Sequence, residues 1–276
     1  MEGSRLYIVA TPIGNMEDIT MRALRILKES DYIACEDTRD TARFLSGLGI
    51  SNKLFSYHEF NKIEASDRII KLLKKGMTIA LVSDAGTPCI SDPGYMVVKK
   101  ARKEGITVIP IPGPSALISA LSVSGFATDS FVFQGFLTNS SAAKRKKRLH
   151  ELIASGFTVV LYEAPHRIIK LLYEINEIDP KADIFIGREI TKKFEQFISG
   201  KPEKLIVYFE GKAPKGEFVV VINKYNEVID IDSIDVKVEF EKLVKENCTE
   251  KEAMKAIAKR TRRSKSEIYC ILKKKQ

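Results

Sequence analysis

The feature that most constrains the fold is a regular alternation of short apolar runs with helical patterns in the first half of the chain. Runs rich in β-branched residues cover residues 6–10, 32–35, 54–57, 79–82 and 107–111. Each is followed by a polar loop and then by apolar residues at helical spacing, over residues 20–30, from residue 38, and over 61–74, 94–104 and 115–123. Strands that alternate with helices in this way predict a parallel sheet covered on both faces.

A second layer is predicted after a small, polar stretch at residues 125–129. Strand patterns follow at residues 131–134, 158–162, 184–186 and 218–222, and helical patterns at 142–154 and 166–175. A turn-rich segment before residue 216 favours antiparallel pairs here. We therefore expect an α/β protein with two α/β domains, over residues 1–124 and 125–226.

The remaining residues, 227–276, predict a small helical extension. Helical patterns cover residues 236–246, 249–260 and 264–273. Thr249 and Ser264 open the last two, and each has a glutamate three residues later, which is typical of a capping box.

Positive charge is concentrated in the last part of this extension. Of the formal charge of +9, residues 251–276 carry +8, and the preceding 250 residues are almost neutral. Clustered lysine and arginine attract phosphate groups, in a salt-dependent way. A solvated helical face that keeps a protein in solution has the same composition, so charge alone leaves both interpretations open.

Composition excludes several classes of protein. With 44% hydrophobic and 29% charged residues, the chain is neither largely disordered nor collagen-like.

No apolar stretch approaches the roughly 20 residues that span a bilayer, and the first residues lack a signal-peptide pattern, so we expect a cytoplasmic protein with no membrane contact. Four scattered cysteines without a CxxC pair and three distant histidines predict reduced thiols and no metal site.

Ligand chemistry is expected in the loops that follow the predicted strands, because parallel α/β sheets bind ligands at the carboxyl ends of their strands. The richest loop is SDAGTPCISDPG, residues 83–94, and residues 11–15, 36–39 and 112–116 follow other strands. We expect Asp92 to cap the helix after it, with Pro93 in the first turn. The first strand is not followed by GxGxxG and there is no GxxxxGK[ST], which disfavours a nicotinamide dehydrogenase and a P-loop NTPase.

Three charged segments are open to two interpretations each. Residues 36–39, EDTR, either cap a helix or supply polar chemistry at a strand exit. His166 either caps a helix or joins Glu163 and Arg167 in a polar pocket. The five consecutive basic residues at 144–148 are either a solubilising turn or neighbours of a bound anion; in both cases part of the run should lie in solvent.

Taken together and in order, seven motifs resemble the tetrapyrrole-methylase superfamily. They lie at residues 9–15, 35–39, 57–59, 82–94, 112–116, 162–167 and 216–218. The likeness runs from about residue 6 to 223. Residues 85–88 read AGTP where the porphyrin-methylating branch has GGDP, and the basic end resembles the C-terminal extension of a branch that methylates ribosomal RNA.

This resemblance implies a homodimer that binds S-adenosylmethionine in a cleft between its two α/β domains. It implies cofactor contacts from Ile13, Asp84, Ala85, Gly86, Thr87, Pro88, Ile90, Ser115, Ala116, Tyr162, Glu217 and Phe218. The implied reaction is 2′-O-methylation of a cytidine in 16S ribosomal RNA, with the small ribosomal subunit as partner.

A ribose hydroxyl is a weak nucleophile, so this reaction needs a base or an electrostatic stabiliser. The candidate acceptors are Glu36, Asp37 and Glu163, and Arg39 and Arg167 are candidates for holding phosphate or stabilising charge. Nothing in the sequence ranks these five residues.

Two other functions remain possible at this point. One is a small-molecule methylase of the same fold, and the other is a nucleic-acid-binding regulator whose tail is a helix-turn-helix module. The number of polar strand exits disfavours the regulator, because a protein that only binds nucleic acid does not need them.

Overall fold

The computed structural model describes residues 4–138, 141–224, 235–245, 248–261 and 264–273. The chain divides into two compact units, Met1–Lys224 and Tyr225–Gln276. The first unit contains two five-stranded sheets and the second contains helices.

The first sheet has the strand order β3-β2-β4-β1-β5, and every pair in it is parallel. Its strands are β1 (Arg5–Val9), β2 (Tyr32–Cys35), β3 (Leu54–Ser56), β4 (Thr78–Leu81) and β5 (Thr107–Ile111). The helices between and after them are α1 (Met21–Glu29), α2 (Thr38–Gly47), α3 (Lys62–Lys74), α4 (Tyr95–Lys103) and α5 (Ala116–Val123). The predicted parallel sheet is confirmed.

Side-chain alternation explains why this sheet is buried on both faces. Leu6 and Tyr7 are neighbours on β1, yet they belong to different core clusters. Ile79 and Ala80 divide in the same way on β4. Successive side chains of a strand point to opposite faces, so apolar residues at every position require helices on both sides.

The second sheet has the strand order β6-β7-β10-β8-β9, and only β6 and β7 are parallel. Its strands are β6 (Phe131–Phe136), β7 (Thr158–Glu163), β8 (Ile184–Arg188), β9 (Gln196–Gly200) and β10 (Phe218–Ile222). Its helices are α6 (Ala142–Ile153), α7 (Ile168–Ile178) and α8 (Pro202–Phe209). The expected antiparallel pairs are confirmed, whereas β9 and α8 were not predicted.

Two features join the sheets within the first unit. Ile13, which follows β1, and Leu117, on α5, share a core cluster with Val160 and Val219 of the second sheet. A bulge in β6 also lets Gly135, with φ +67°, approach the loop after β4 so closely that an added Cβ would lie 2.6 Å from Ser91 Oγ. The exit of β6 is therefore held beside that loop.

The second unit contains α9 (Val236–Lys245), α10 (Glu250–Thr261) and α11 (Lys265–Lys273), as predicted. Val236, Ile257 and Ile268 form its buried centre. Both predicted capping boxes are present: the amide of Thr249 donates to Glu252 Oε2 at 3.0 Å, and that of Ser264 donates to Glu267 Oε2 at 2.6 Å. Among the described residues, no helix combines the length and apolarity needed to cross a membrane.

Candidate functional site

A cavity of about 430 Å³ opens at the carboxyl ends of β1, β2, β4 and β5 and is closed by residues of the second sheet. Its volume falls within the range of small-molecule sites, roughly 300–1,000 Å³. Every residue predicted to contact the cofactor lines it, except Pro88. These residues are Ile13, Asp84, Ala85, Gly86, Thr87, Ile90, Ser115, Ala116, Tyr162, Glu217 and Phe218.

Hydrogen bonds connect the loops after β1, β4 and β5 to one another beside the cavity. The amide of Thr11 donates to the Gly86 carbonyl at 2.9 Å, and that of Gly86 donates to the Thr11 carbonyl at 3.1 Å. Thr87 Oγ1 donates to the Pro114 carbonyl at 3.2 Å. Gly86 has φ +78°, which favours glycine, and an added Cβ would lie 3.3 Å from Ile13.

Backbone strain is concentrated around this cavity. In the described part of the chain, the non-glycine residues with positive φ are Cys89, Ser91, Glu189 and Thr191. The first two lie in the loop after β4, and Ser91 lines the cavity. Strained conformations of this kind persist only where the surroundings hold them, and they cluster at functional sites.

Glu189 and Thr191, the other two residues with positive φ, lie in the loop between β8 and β9, which the sequence patterns did not identify. Glu189 Oε1 accepts a hydrogen bond from the backbone amide of Glu217 at 2.9 Å. Lys192 Nζ lies 3.0 Å from both carboxylates and bridges them. Gly14, the neighbour of Ile13, packs against Lys192 so closely that a Cβ there would lie 2.3 Å from its Cγ. This loop therefore holds Glu217 at the cavity edge.

Three carboxylates, of Glu36, Asp84 and Asp92, share the cavity wall. Burial, together with the charges of Asp92 and Asp84, raises the pKa of Glu36 to about 7, against the opposing effect of a hydrogen bond from the backbone. Burial also raises the pKa of Asp92 to about 6. Two groups that titrate close to neutrality thus face one cavity, which is typical of a catalytic site.

The expectation that Asp92 caps a helix is wrong. The N-cap of α4 is Gly94, no side chain caps it, and the helix starts at Tyr95. Pro93 and Gly94 separate Asp92 from Tyr95, the first residue of α4, so Asp92 does not cap the helix. Its side chain is half-buried and lines the cavity.

Both interpretations of residues 36–39 apply, each to a different residue: Asp37 caps a helix, and Glu36 lines the cavity. Asp37 caps α2, because its Oδ1 accepts from the amides of Arg39 at 2.8 Å and Asp40 at 3.3 Å. Its pKa lies well below the usual range, since the Arg39 guanidinium and these amides stabilise the carboxylate. Arg39 is 84% exposed, and neither residue lines the cavity, whereas Glu36 does.

Glu163 lines the cavity, but arginines occupy both of its oxygens. Arg145 Nη2 donates to Oε2 at 2.7 Å, and Arg167 Nε lies 2.6 Å from Oε1. Arg145 also donates to Glu174 at 2.8 Å. The side chain of Arg145 is only 2% exposed, so these are buried ion pairs. His166 is exposed in a 3-10 turn and does not line the cavity.

Part of the basic run at residues 144–148 lies in solvent, as expected, whereas Arg145 is buried. Arg145 lies four residues before Leu149 and seven before Leu152, on the buried face of α6. Lys146 pairs with Glu177, and Arg148 donates to Gln134 at 2.7 Å. Lys144 and Lys147 remain exposed.

Comparison with known families identifies the class of protein that has this pair of sheets and this cavity. The family model for tetrapyrrole (corrin/porphyrin) methylases matches residues 5–206, so the chain belongs to this family. Its members take the transferred methyl group from S-adenosylmethionine, which confirms the cofactor predicted from the motifs.

Three relatives with more than 40% sequence identity share one name. The chain is 46% identical to the ribosomal RNA small subunit methyltransferase I of Halalkalibacterium halodurans, over 83% of this chain and 79% of that protein. It is 41% identical to the protein of the same name in Bacillus subtilis, over 96% and 92%. The match to the Thermotoga maritima protein, at 45%, covers 79% of this chain and 98% of that one.

Solved structures share the fold at low sequence identity. One is a cobalt precorrin-4 methyltransferase, with a TM-score of 0.61, 13% identity and coverage of 80% of this chain and 95% of that one. Another is the uroporphyrin-III-C-methyltransferase of Thermus thermophilus, with a TM-score of 0.56, 21% identity and coverage of 79% and 94%.

The residues around the cavity fit S-adenosylmethionine. This molecule carries a sulfonium and an amino group against one carboxylate, so the acidic wall of Glu36, Asp84 and Asp92 complements its net positive charge. Tyr162 and Phe218 add apolar surface to the same cavity.

Proposed function

We propose that the protein transfers a methyl group from S-adenosylmethionine to the 2′-hydroxyl of a cytidine in 16S ribosomal RNA. The names of its relatives support ribosomal RNA of the small subunit as the substrate class. The observation that carries the chemistry is Glu36, a carboxylate in the cavity wall with a pKa of about 7. A hydroxyl nucleophile needs such a group to accept its proton.

The proposed mechanism depends mainly on positioning. The cavity residues around Glu36, Asp84 and Asp92 would hold S-adenosylmethionine, which would supply an electrophilic methyl group on a positively charged sulfur, with a thioether as the leaving group. The loops after β1, β4 and β5 would hold the reactants at fixed distances, and hydrogen bonds between these loops fix the loop after β4. Glu36 accepts the hydroxyl proton as the new C–O bond forms.

The other candidate residues take supporting roles in this proposal. Asp37 and Glu163 already accept hydrogen bonds from backbone amides or arginines, so neither carboxylate is free to take a proton. Arg167, fixed by Glu163 beside the cavity, holds a phosphate of the RNA. Arg39, on the exposed surface of α2, contacts the RNA backbone further out.

The decisive experiment incubates the protein with labelled S-adenosylmethionine and, separately, small ribosomal subunits, naked 16S RNA and a tetrapyrrole. We expect label in RNA, on one 2′-oxygen, after nuclease mapping. The variant Glu36→Gln should lose about 10²- to 10⁴-fold in rate while it still binds the cofactor. The matched variant Glu64→Gln, on the exposed side of α3, should keep the wild-type rate.

Label in a tetrapyrrole and in neither form of RNA would contradict the proposal and favour the small-molecule methylase.

We also propose, from the resemblance alone, that the protein is a cytoplasmic homodimer. Sedimentation velocity tests the dimer, and a single monomeric species at micromolar concentration would contradict it.

A further inference from the structure

Phe136 is an aromatic residue of the cavity to which neither the sequence patterns nor the proposed mechanism assigns a role. It ends β6, lines the cavity and is 52% exposed. Its ring meets that of Tyr162 edge to face, with centroids 5.7 Å apart. The bulge at Gly135 holds the strand exit against the loop after β4. An exposed aromatic surface is thus fixed at the cavity edge.

Arg167 lies next to this ring, with its guanidinium carbon 5.9 Å from the centroid. Its side chain is 15% exposed, and Glu163 holds its Nε at 2.6 Å. Glu163 is fixed in turn by the buried Arg145. A cation and an aromatic ring are therefore held together by a buried chain of ion pairs.

We infer that Phe136 and Arg167 form the subsite for the acceptor nucleotide, with its base stacked on Phe136 and an adjoining phosphate paired with Arg167. This inference rests on the proposed function, because it requires RNA as the substrate. A reacting ribose inside the cavity leaves its own base at the edge, unstacked from its neighbours. Proteins bind such bases on aromatic side chains and bind phosphates through arginine.

Exposed phenylalanines elsewhere in the described chain lack this placement. Phe60, Phe131 and Phe194 are exposed but do not line the cavity, and Phe218 lines it but is buried. Single exposed apolar residues need no explanation in themselves. Phe136 combines exposure, a place in the cavity wall and a neighbouring arginine.

The test uses the full-length protein and three variants. Phe136→Leu removes the ring but keeps an apolar side chain, Phe136→Tyr keeps the ring, and Phe131→Leu is a control on the same strand. Steady-state methylation of 16S RNA gives KM and kcat, and calorimetry with S-adenosylhomocysteine measures the cofactor site. We expect Phe136→Leu to raise the KM for RNA about tenfold, with S-adenosylhomocysteine affinity within twofold of wild type. Phe136→Tyr and Phe131→Leu should remain close to wild type.

Three results would overturn the inference. If wild type methylates RNA and Phe136→Leu has an unchanged KM, the subsite is wrong and the proposed function stands. If Phe136→Leu loses affinity for S-adenosylhomocysteine, the ring belongs to the cofactor site. If wild type methylates no RNA, the proposed function fails and the nucleotide subsite fails with it.

A second variant separates the phosphate contact from the stacking contact. Arg167→Gln should weaken RNA binding and reduce the slope of log affinity against log salt by about one. Phe136→Leu should leave that slope unchanged, because stacking releases no counterions. An unchanged slope in Arg167→Gln would remove the arginine from the subsite.

Discussion

Glu36 acquires its altered acidity from its surroundings. The carboxylate is partly removed from water and faces Asp92 and Asp84, and each of these effects disfavours its ionised form. A proton acceptor must be ionised to act, so the group is effective only above its pKa.

This predicts the pH dependence of methyl transfer. The rate of the chemical step should rise about tenfold per pH unit below pH 7 and level off above it. Asp92→Asn should move the inflection to lower pH, because one of the charges that raise the pKa of Glu36 is removed. Single-turnover rates between pH 5 and 9 give both curves. An inflection that stays in place in Asp92→Asn would contradict the assignment of Glu36 as the acceptor.

Arg145 illustrates a different property, a buried charge that depends on its partners. Its Nε and one of its terminal nitrogens, Nη2, donate to Glu174 and Glu163. Removal of one partner from a buried pair leaves an uncompensated charge, at a cost of about 3–5 kcal/mol.

Arg145→Met should therefore lower the free energy of unfolding by about that amount in urea denaturation. Lys147→Met, an exposed residue of the same basic run, serves as the matched control and should change it by less than about 0.5 kcal/mol. Equal losses in both variants would mean that α6 itself, and not the ion pairs, is affected.

For individual residues, the sequence patterns were most informative in the loops that follow the strands. They included Glu36 among five unranked candidates and pointed to the loop after β4, and both line the cavity, because strand exits are the ligand-binding edge of a parallel sheet. They missed Phe136 and the buried place of Arg145, because both depend on how side chains meet across the chain. A run of basic letters does not reveal that its second member lies on the buried face of α6.

Elements of the first sheet were predictable because each strand is apolar at almost every position and the helices α1 to α4 are amphipathic. The edge strand β9 is mostly exposed and has no such pattern, and α8 follows it after a single residue and begins with a proline. Their positions are set by pairing with β8 and by packing against α7, which are tertiary effects.

The β6 bulge permits a test at the level of one element. Gly135→Ala places a Cβ at φ +67°, 2.6 Å from Ser91 Oγ, whereas Gly156→Ala has φ +74° and open space around it. Both variants should lose about 1–2 kcal/mol of stability from the left-handed backbone. Gly135→Ala should lose more, and Ser91→Gly should restore the difference. Equal melting curves for the two alanine variants would show that the strand exit is not held against the loop.

The division of the whole molecule into two units raises the question of what the second unit, Tyr225–Gln276 with its basic helices, contributes to function. The Thermotoga relative is matched over 98% of its length by 219 residues of this chain, close to the 224 residues of the first unit. That protein is thus about as long as the first unit of this chain. We infer that the basic helices add affinity for RNA and take no part in the reaction.

Removal of residues 225–276 should therefore leave the dissociation constant for S-adenosylhomocysteine unchanged. It should weaken RNA binding and flatten its dependence on salt, because the cluster of lysines and arginines at residues 251–276 is lost. Filter binding of 16S RNA between 50 and 300 mM salt measures both effects. If the salt slope of the shortened protein equals that of the full chain, the basic end serves solubility instead.

The cavity wall runs from Ile13 to Val219 and draws on both sheets. A nascent chain therefore has no complete site until nearly all of the first unit has left the ribosome. Once the chain is complete, any ligand in the cavity favours the paired sheets over separated ones, by a free energy that grows with the logarithm of its concentration. The cellular level of the methyl donor thereby becomes a determinant of how long the folded enzyme survives.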